Sequence, residues 1–438
     1  MKETGGGNPE DGPGKFCALA WLHRFTNVKG QIQVCCTSEE WDNDIRRRDG
    51  SPMNIGEGRS DEEILNSAFM KNVRLQMLSG RWPDFCRRCL VTEQTGGTSR
   101  RRQENEHFRG EIPGLLAGTE VDGGIPVRVL SADYRLGNLC NLACRMCNPN
   151  SSSTWARTWL PGEPGVRPAP PGHGARRDPY DWYRNPVFLE RFKEQAPSLK
   201  HLHFAGGEPL IVPEMLALLR RCVEDGVAGN IELTYNTNIT KIPAELKTLW
   251  PRFRAVRLFC SVDAFGALNE YIRPPSSWKT IDRNLRDLDS HFVSYGLAEV
   301  LIMTTVQAYN VLRLDELYDY LFENMSHVGQ LPHLIDLHHP RHYRSQVLPT
   351  PLKNRARAKL EGLMDRTRAR IASGGIRSEC AKTLETLRSS INFLDLEDRQ
   401  AEIPELLRAV RSKDALSGQD FRRVLPELAA LSDSQSDE

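Results

Sequence analysis

Residues 127–147 read VRVLSADYRLGNLCNLACRMC, and this stretch decides how the sequence is interpreted. Its apolar run, Val127 to Ala132, is typical of a buried β-strand. Soon afterwards come Cys140, Cys144 and Cys147, in the spacing Cys-x3-Cys-x2-Cys. Thiolates are soft ligands that select iron–sulfur clusters or zinc, and three of them leave one metal position open to a non-protein ligand. The residues alone therefore predict a cluster site, with a zinc site completed by a distant histidine as the alternative.

Short apolar runs separated by helical or turn-rich stretches recur after the cysteines. They are Leu202–Phe204, Ile231–Tyr235, Val256–Val262, Val300–Val306 and Leu334–Leu337. Between Pro213 and Gly226 an apolar stripe at helical spacing indicates a crossover helix. Six strands that alternate with helices predict a parallel α/β sheet or barrel.

Polar residues follow the ends of several predicted strands. They are Gly206, Gly207 and Glu208 after the second strand, Asn238 after the third, and Ser261, Asp263 and Arg273 after the fourth. Ligands of parallel α/β folds bind at the carboxyl ends of the strands. Glycines let a ligand approach the backbone, and a carboxylate accepts hydrogen bonds from an ammonium group. Each of these residues taken singly also fits a turn or a helix cap.

A second set of cysteines lies near the start of the chain. Cys17-x12-Gly30-x4-Cys35 is followed by Cys86-x2-Cys89 within WPDFCRRC. Four thiolates can complete the coordination of a zinc ion or of an iron–sulfur cluster. The residues alone leave both possibilities open.

Composition limits the classes of partner. The chain has 438 residues, of which 39% are hydrophobic, and 58 Lys and Arg against 57 Asp and Glu give a net charge of +1. This length suits two or three domains, and the balance of charge argues against nucleic acid or an acidic membrane as a partner. Without a signal-peptide pattern or a long apolar run, we expect a cytoplasmic protein. Since a reducing cytosol does not sustain disulfides, its 11 cysteines indicate metal binding or catalysis.

The cysteine triad after a strand, with Phe204-Ala-Gly206-Gly207-Glu208-Pro209 one strand later, resembles the signature of the radical S-adenosylmethionine (SAM) enzymes. In that family three cysteines bind a four-iron, four-sulfur (4Fe–4S) cluster, and SAM chelates the fourth iron. Reduction cleaves SAM to methionine and a 5′-deoxyadenosyl radical, which abstracts hydrogen from a substrate. The resemblance implies a six-stranded partial (β/α)6 barrel of mixed α/β class, with Cys140, Cys144 and Cys147 as cluster ligands.

The same resemblance implies contacts to SAM. Met146 would pack by the adenine, and the glycine-rich segment Gly206, Gly207 and Glu208 would bind the amino group. The ribose would be bound by Asn238, Ser261 and Asp263, and the methionyl carboxylate by Arg273. Ser261 and Arg273 are 12 residues apart, as in the peptide-modifying and sulfatase-maturing members of the family.

The N-terminal cysteines are similar to the start of the SPASM and twitch domains, which carry auxiliary 4Fe–4S clusters in radical SAM enzymes. This implies a second cluster bound by Cys17, Cys35, Cys86 and Cys89. The Gly30-x4-Cys35 spacing favours Cys35 over its neighbour Cys36. In this chain the segment precedes the catalytic domain, whereas those enzymes usually place it after.

The sequence therefore predicts a small N-terminal cluster-binding domain, a partial barrel and a C-terminal helical segment. The expected boundaries are 1–15 for a disordered N-terminus, 16–124 for the SPASM/twitch-like domain, 125–345 for the barrel, 346–431 for the helical segment and 432–438 for an acidic tail.

The predicted function is radical SAM chemistry on a peptide or protein, driven by a reducing partner such as flavodoxin or ferredoxin. One alternative is a radical SAM dehydrogenase or related enzyme that acts on a sugar, a nucleoside or another small metabolite. A more distant alternative is a non-catalytic zinc-binding protein in which both cysteine sets are structural. The sequence identifies no catalytic acid or base.

Overall fold

The computed structural model describes residues 14–37, 43–94, 98–158, 178–373 and 380–434. Most of the predicted disordered N-terminus, 1–15, and of the predicted acidic tail, 432–438, lies outside these residues. The strands in the described residues are β1 (His23–Thr26), β2 (Ile32–Gln33), β3 (Ser131–Arg135), β4 (His201–Ala205), β5 (Glu232–Thr237), β6 (Ala255–Ser261), β7 (Leu297–Val306) and β8 (Pro332–Asp336).

Helices account for about half of the remaining described residues. In chain order they are α1 (Leu19–Leu22), α2 (Asp61–Leu65), α3 (Ala68–Leu78), α4 (Arg87–Gln94), α5 (Arg100–His107), α6 (Ile112–Ala117), α7 (Ser153–Thr158), α8 (Pro186–Gln195), α9 (Pro213–Glu224), α10 (Ala244–Leu249), α11 (Gly266–Ile272), α12 (Trp278–Ser290), α13 (Leu314–Asn324), α14 (Thr350–Ala372), α15 (Cys380–Leu396), α16 (Ile403–Ser417) and α17 (Pro426–Ser434).

The strands form one largely parallel sheet in the order β2-β1-β3-β4-β5-β6-β7-β8. β1 pairs antiparallel with β2 and parallel with β3, and β3 is parallel to β4. β7 is parallel to both β6 and β8. The six predicted strands are confirmed as β3 to β8. The predicted count of six is nevertheless corrected to eight, because β1 and β2 extend the sheet beyond β3.

β1 escaped prediction because its side chains do not alternate between apolar and polar, and β2 is only 2 residues long. β1 reads His-Arg-Phe-Thr, and backbone pairing with β3 determines where it lies. This pairing also explains why the predicted strand Val127–Ala132 is displaced. The ladder begins where His23 lies opposite Ser131, so the apolar residues before Ser131 are mostly outside it.

The chain divides into two compact units. The first comprises the described residues within Met1–Gly137, Gly172–Gly206 and Pro213–Leu233. Its core includes Tyr134 of β3, whose ring lies 5.3 Å from that of Phe188 and 6.2 Å from that of Phe192. Helix α9 follows its predicted pattern, since Met215, Leu218, Leu219 and Cys222 are its buried residues. Burial of this apolar stripe stabilises the helix against the core.

The second unit comprises the described residues within Asn138–Pro171, Gly207–Val212 and Thr234–Glu438. Alternate residues of β6 are buried, as expected for a strand with one face against helices. The hydroxyl groups of Thr304 in β7 and Tyr318 in α13 are hydrogen-bonded at 3.0 Å, and this contact joins the strand to the helix. Helix α15 packs against both α14 and β8. The predicted helical character of the C-terminal segment is thus confirmed for α14 to α17.

None of the helices in the described residues is both long enough and apolar enough to traverse a bilayer.

Candidate active site

Three thiols lie together in the second unit, in the loop that follows β3. Cys140 and Cys144 are buried, and Cys147 and Met146 pack against them around Leu142. Burial, the largest influence, raises the pKa of the Cys144 thiol to about 12 and that of Cys147 to about 11. Such thiols stay protonated unless a metal replaces the proton, so the loop suits a ligand that supplies positive charge.

Helix α7 and the turn before it fix the backbone of this loop. The Cys140 N–H donates to Ser153 Oγ at 3.2 Å, and the Cys140 carbonyl accepts from Thr154 Oγ1 at 2.7 Å. Ser152 Oγ donates to the Leu142 carbonyl at 2.6 Å. Because each contact anchors the main chain, the sulfur atoms project from a fixed backbone.

Two side chains donate towards the sulfur atoms. Asn238 Nδ2 lies 3.9 Å from Cys140 Sγ, and Arg273 Nη1 lies 3.8 Å from Cys144 Sγ. Hydrogen bonds and positive charge near the sulfurs are among the features by which proteins adjust iron–sulfur clusters. The structure thus brings two predicted SAM-binding residues to the predicted cluster ligands.

The two glycines before Glu208 allow close approach of the backbone. Gly206 has a φ of +122°, and a Cβ there would lie 2.7 Å from the Gly137 carbonyl oxygen. A Cβ on Gly207 would collide with the Leu139 carbonyl. The sequence predicted a close approach by a ligand at these positions. The structure shows that the close approach is made by the segment that leads into the cysteines.

Glu208 is buried and joins neighbouring strand ends in the second unit. Its carboxylate accepts from Thr237 Oγ1 at 2.8 Å, from the Asn238 N–H at 2.5 Å and from the Leu210 N–H at 3.0 Å. Burial raises the pKa of Glu208 to about 7, although these hydrogen bonds oppose the shift. A carboxylate has about four acceptor positions, so one remains for a cationic ligand.

Asp263 and Arg273 form a buried ion pair after β6. Arg273 Nε donates to Asp263 Oδ2 at 2.8 Å, and the Thr305 N–H donates to Asp263 Oδ1 at 2.8 Å. Both carboxylate oxygens are therefore engaged. Ser261 is the last residue of β6 and is half-buried.

The four N-terminal cysteines converge within the first unit. Cys17, Cys35, Cys86 and Cys89 line one cavity, together with Arg100 and Arg101. Burial raises the pKa of Cys86, and the thiols of Cys35, Cys17 and Cys89 raise it further. Thiols that influence one another in this way are close in space. The structure therefore brings together all four residues of the predicted auxiliary set.

Cys36 faces a different environment from Cys35. Burial raises the pKa of Cys36, and the next largest influences come from Asp133 and Arg100. Cys35 lines the cavity of the auxiliary cysteines, whereas Cys36 is not among the residues that line it. The chain bends at Cys36, and the two neighbouring side chains differ in their surroundings.

Over the part of the chain that the structure describes, no three His, Cys, Asp or Glu side chains are arranged to hold a single metal ion. Each of the two cysteine sets supplies soft thiolate ligands, which suit an iron–sulfur cluster or zinc.

A polar row that the sequence did not reveal lies on one face of the sheet in the first unit. His23 Nδ1 lies 2.8 Å from Ser131 Oγ, which is 3.4 Å from His201 Nδ1. Asp133 and His203 continue the row in register. Burial lowers the pKa of both His23 and His203 to about 4, although Asp133 opposes the shift. These imidazoles are therefore neutral at pH 7.

We expect His23 to make stability depend on pH. In the unfolded chain a histidine binds a proton below about pH 6.5, whereas His23 in the folded protein stays neutral down to about pH 4. Its contribution is thus present above pH 6.5 and is lost as the pH falls, by about 2 kcal/mol between about pH 7.5 and pH 5. Urea unfolding of His23→Gln should show a correspondingly shallower pH dependence, and the exposed His291→Gln should match the parent protein. Equal slopes for His23→Gln and the parent would refute this expectation.

Comparison with known proteins agrees with the motif-based expectation. Residues 134–320 match the family model of the radical SAM superfamily. No curated protein matches the chain.

Similar solved structures cover a little over half of the chain. SuiB of Streptococcus suis bound to S-adenosylmethionine is 15% identical, with 59% of this chain and 53% of that chain covered and a TM-score of 0.31. Native anSMEcpe with bound AdoMet is 18% identical, with 57% and 64% covered and a TM-score of 0.37. SuiB bound to the precursor peptide SuiA is 16% identical, with 59% and 53% covered and a TM-score of 0.29. The chain spans between half and two thirds of the length of these proteins.

The family match runs from Tyr134 in β3 to Tyr320 in α13 and includes Cys140, Cys144 and Cys147 as well as Glu208 and Arg273. It favours radical SAM chemistry over the alternative of a non-catalytic zinc-binding protein. Residues 134–320 therefore belong to the radical SAM superfamily.

Proposed function

We propose that the enzyme reductively cleaves SAM and abstracts hydrogen from a peptide or protein substrate. The observation that carries the proposal is the group of three thiols, with Cys140 and Cys144 buried and Cys147 packed against them, and with Arg273 in contact with one of them. When bound, a 4Fe–4S cluster with SAM would supply the 5′-deoxyadenosyl radical. The three thiolates would hold three irons and leave the fourth for SAM.

Glu208 and Arg273 are suited to the two charged groups of the methionyl part of SAM. The remaining acceptor position of Glu208 would take the ammonium, whose charge would stabilise the carboxylate form in this buried place. The Nε atom of Arg273 donates to Asp263, and its Nη1 atom lies 3.8 Å from Cys144 Sγ. Its guanidinium would therefore meet a carboxylate bound next to the cluster.

Asp263 suits a positioning role better than the ribose contact expected from the sequence. Its carboxylate is wholly buried and accepts from Arg273 and Thr305, so it would fix the guanidinium. The Asn238 amide is likewise engaged, since Nδ2 donates to Asn141 Oδ1 at 3.0 Å. Ser261 is then the principal candidate for the ribose, and Met146 remains the candidate for the adenine.

The N-terminal cavity would hold a second 4Fe–4S cluster through Cys17, Cys35, Cys86 and Cys89. Arg100 and Arg101 at the same cavity would stabilise the thiolate forms. We retain residues 16–124 as this auxiliary domain and 125–345 as the partial barrel. Such a cluster can bind a substrate or accept an electron from it.

A peptide or protein is the substrate class that we propose, because the N-terminal cysteine pattern resembles SPASM and twitch domains. A low-potential electron donor such as flavodoxin or ferredoxin would reduce the cluster. We propose a cytoplasmic location, where thiolates remain reduced.

Glu208→Gln should weaken SAM binding by about tenfold to a hundredfold. Glutamine can still accept from Thr237 and from the Leu210 N–H, which share Oε1, but its amide nitrogen replaces Oε2 and it cannot form the charge-assisted hydrogen bond to the ammonium, which is worth about 1.5 to 3 kcal/mol. SAM titrations followed by the electron paramagnetic resonance (EPR) spectrum of the reduced cluster measure the dissociation constant. Glu224→Gln, on the exposed side of α9, is the matched control and should bind like the parent. Parental affinity in Glu208→Gln would exclude the ammonium contact.

A further inference from the structure

The C-terminal end of helix α16 contacts the cysteine loop within the second unit. Leu416 packs against Ala143 and Trp155, which lie in and just after the loop. Residues 413–421, which we call the C-terminal clamp, approach the loop at its central residue, Arg145. No sequence feature of the clamp indicated a role, and it is separated from Arg145 by 268 residues or more.

Arg145 lies between two of the predicted cluster ligands and is wholly buried. Its Nη2 donates to Asp414 Oδ1 at 2.5 Å and to Gln419 Oε1 at 2.9 Å. Its Nε donates to the Tyr271 carbonyl at 2.8 Å, and its guanidinium carbon lies 3.7 Å from the centre of the Tyr271 ring. A buried guanidinium is costly unless it is paired and hydrogen-bonded, so these partners are needed to keep it in place.

Asp414 in turn fixes the clamp. Its Oδ2 accepts from the Phe421 N–H at 2.6 Å, across the turn that follows α16. One carboxylate therefore ties the turn after α16 to Arg145. The Arg145 N–H donates to the Ile272 carbonyl at 2.9 Å, so the loop is held from the opposite side as well.

Lys413 brings a second buried cation to the loop. Its Nζ donates to the Arg145 carbonyl at 2.6 Å and lies 5.6 Å from the Trp155 ring and 5.0 Å from the Tyr343 ring. The ammonium also acts on Cys147, whose pKa is raised chiefly by burial and is moderated by Lys413. A cation in this buried place interacts with charge on the thiolates more strongly than it would in water.

We propose that the C-terminal clamp is a positioning element of the cluster site. Arg145 and Asp414 hold the cysteine loop in shape, and Lys413 stabilises added negative charge, which raises the reduction potential of the cluster bound there. The inference rests on the proposed function, because it presupposes a cluster at Cys140, Cys144 and Cys147. It gives the C-terminal helical segment a role in the chemistry.

An EPR-monitored redox titration of Lys413→Met tests the proposal. The cluster of the cysteine triad should become harder to reduce, because the cation that stabilises its reduced form is gone. Lys413→Arg keeps the positive charge and should restore the parental potential. Arg408→Met, which removes an exposed cation from the same helix, is the control and should change nothing. The signal of the auxiliary cluster serves as an internal reference.

A second measurement needs no cluster. In the protein without iron, amide hydrogen exchange of the peptide that contains residues 143–147 should be about tenfold faster in Lys413→Met, because the charge-assisted hydrogen bond to the Arg145 carbonyl is lost. Selective loss of the triad cluster in Lys413→Met would also support the clamp. An unchanged potential, or an equal shift of both clusters, would overturn it. If the parent itself shows no SAM-dependent change in its EPR spectrum, the proposed function fails, whatever the variants do.

Discussion

Replacing Cys140, Cys144 and Cys147 together with alanine is expected to abolish formation of 5′-deoxyadenosine from SAM, by at least about a thousandfold. Each thiolate binds one iron, and without all three no cluster remains to which SAM can attach. The variant should still contain about four irons per chain, because Cys17, Cys35, Cys86 and Cys89 line a separate cavity in the first unit. Product analysis by chromatography and iron determination measure both effects.

Cys222→Ala provides the matched control for this variant. Cys222 is buried, like Cys140 and Cys144, but it lies in the apolar stripe of α9. Its loss should cost about 1 kcal/mol of folding stability and leave both clusters and SAM cleavage intact. SAM cleavage at the parental rate in the triple variant would show that the triad is not the catalytic cluster site. Zinc in place of the remaining iron would identify the N-terminal site as a zinc module.

Cys35→Ala should lose the auxiliary cluster, whereas Cys36→Ala should keep it. Cys35 lines the cavity with the other three thiols, whereas Cys36 does not line it. The iron content should therefore fall from about eight to about four per chain in the first variant only. Cys35→Ala should still produce 5′-deoxyadenosine, since the triad is intact, but it should not complete turnover of the true substrate.

The Cys35→Ala and Cys36→Ala variants control for each other, because each removes one thiol at neighbouring positions of the chain. Loss of the cluster in Cys36→Ala with retention in Cys35→Ala would reverse the assignment. Full turnover of the substrate by Cys35→Ala without its cluster would give the N-terminal domain a structural role only.

Much of the fold followed from local patterns. Five of the six barrel-type strands, β4 to β8, coincide with apolar runs, and α9 has its stripe between Pro213 and Gly226, so periodicity was sufficient to predict them. β1 was missed because its side chains, from His23 to Thr26, carry no such pattern. Its place is determined by backbone pairing with a strand more than 100 residues away, and local sequence does not encode such a pairing directly.

The site was predictable to the extent that its residues occur in short motifs. The cysteine spacings pointed to both sets of thiols, and the structure brings each set together. Sequence position suggested a ribose contact for Asp263, and the structure adds that this carboxylate accepts from Arg273 and Thr305. Lys413 and Asp414 carried no signal at all, because their importance comes from contact with Arg145, and that contact is visible only in three dimensions.

The most direct test of the central claim is to measure 5′-deoxyadenosine and methionine formed from SAM by the reconstituted parent protein under anaerobic conditions with a strong reductant. The account predicts that both products appear together in equal amounts, and that neither forms without the reductant. Intact SAM, in a protein whose iron content and EPR spectrum show that the triad cluster is present and reduced, would contradict it.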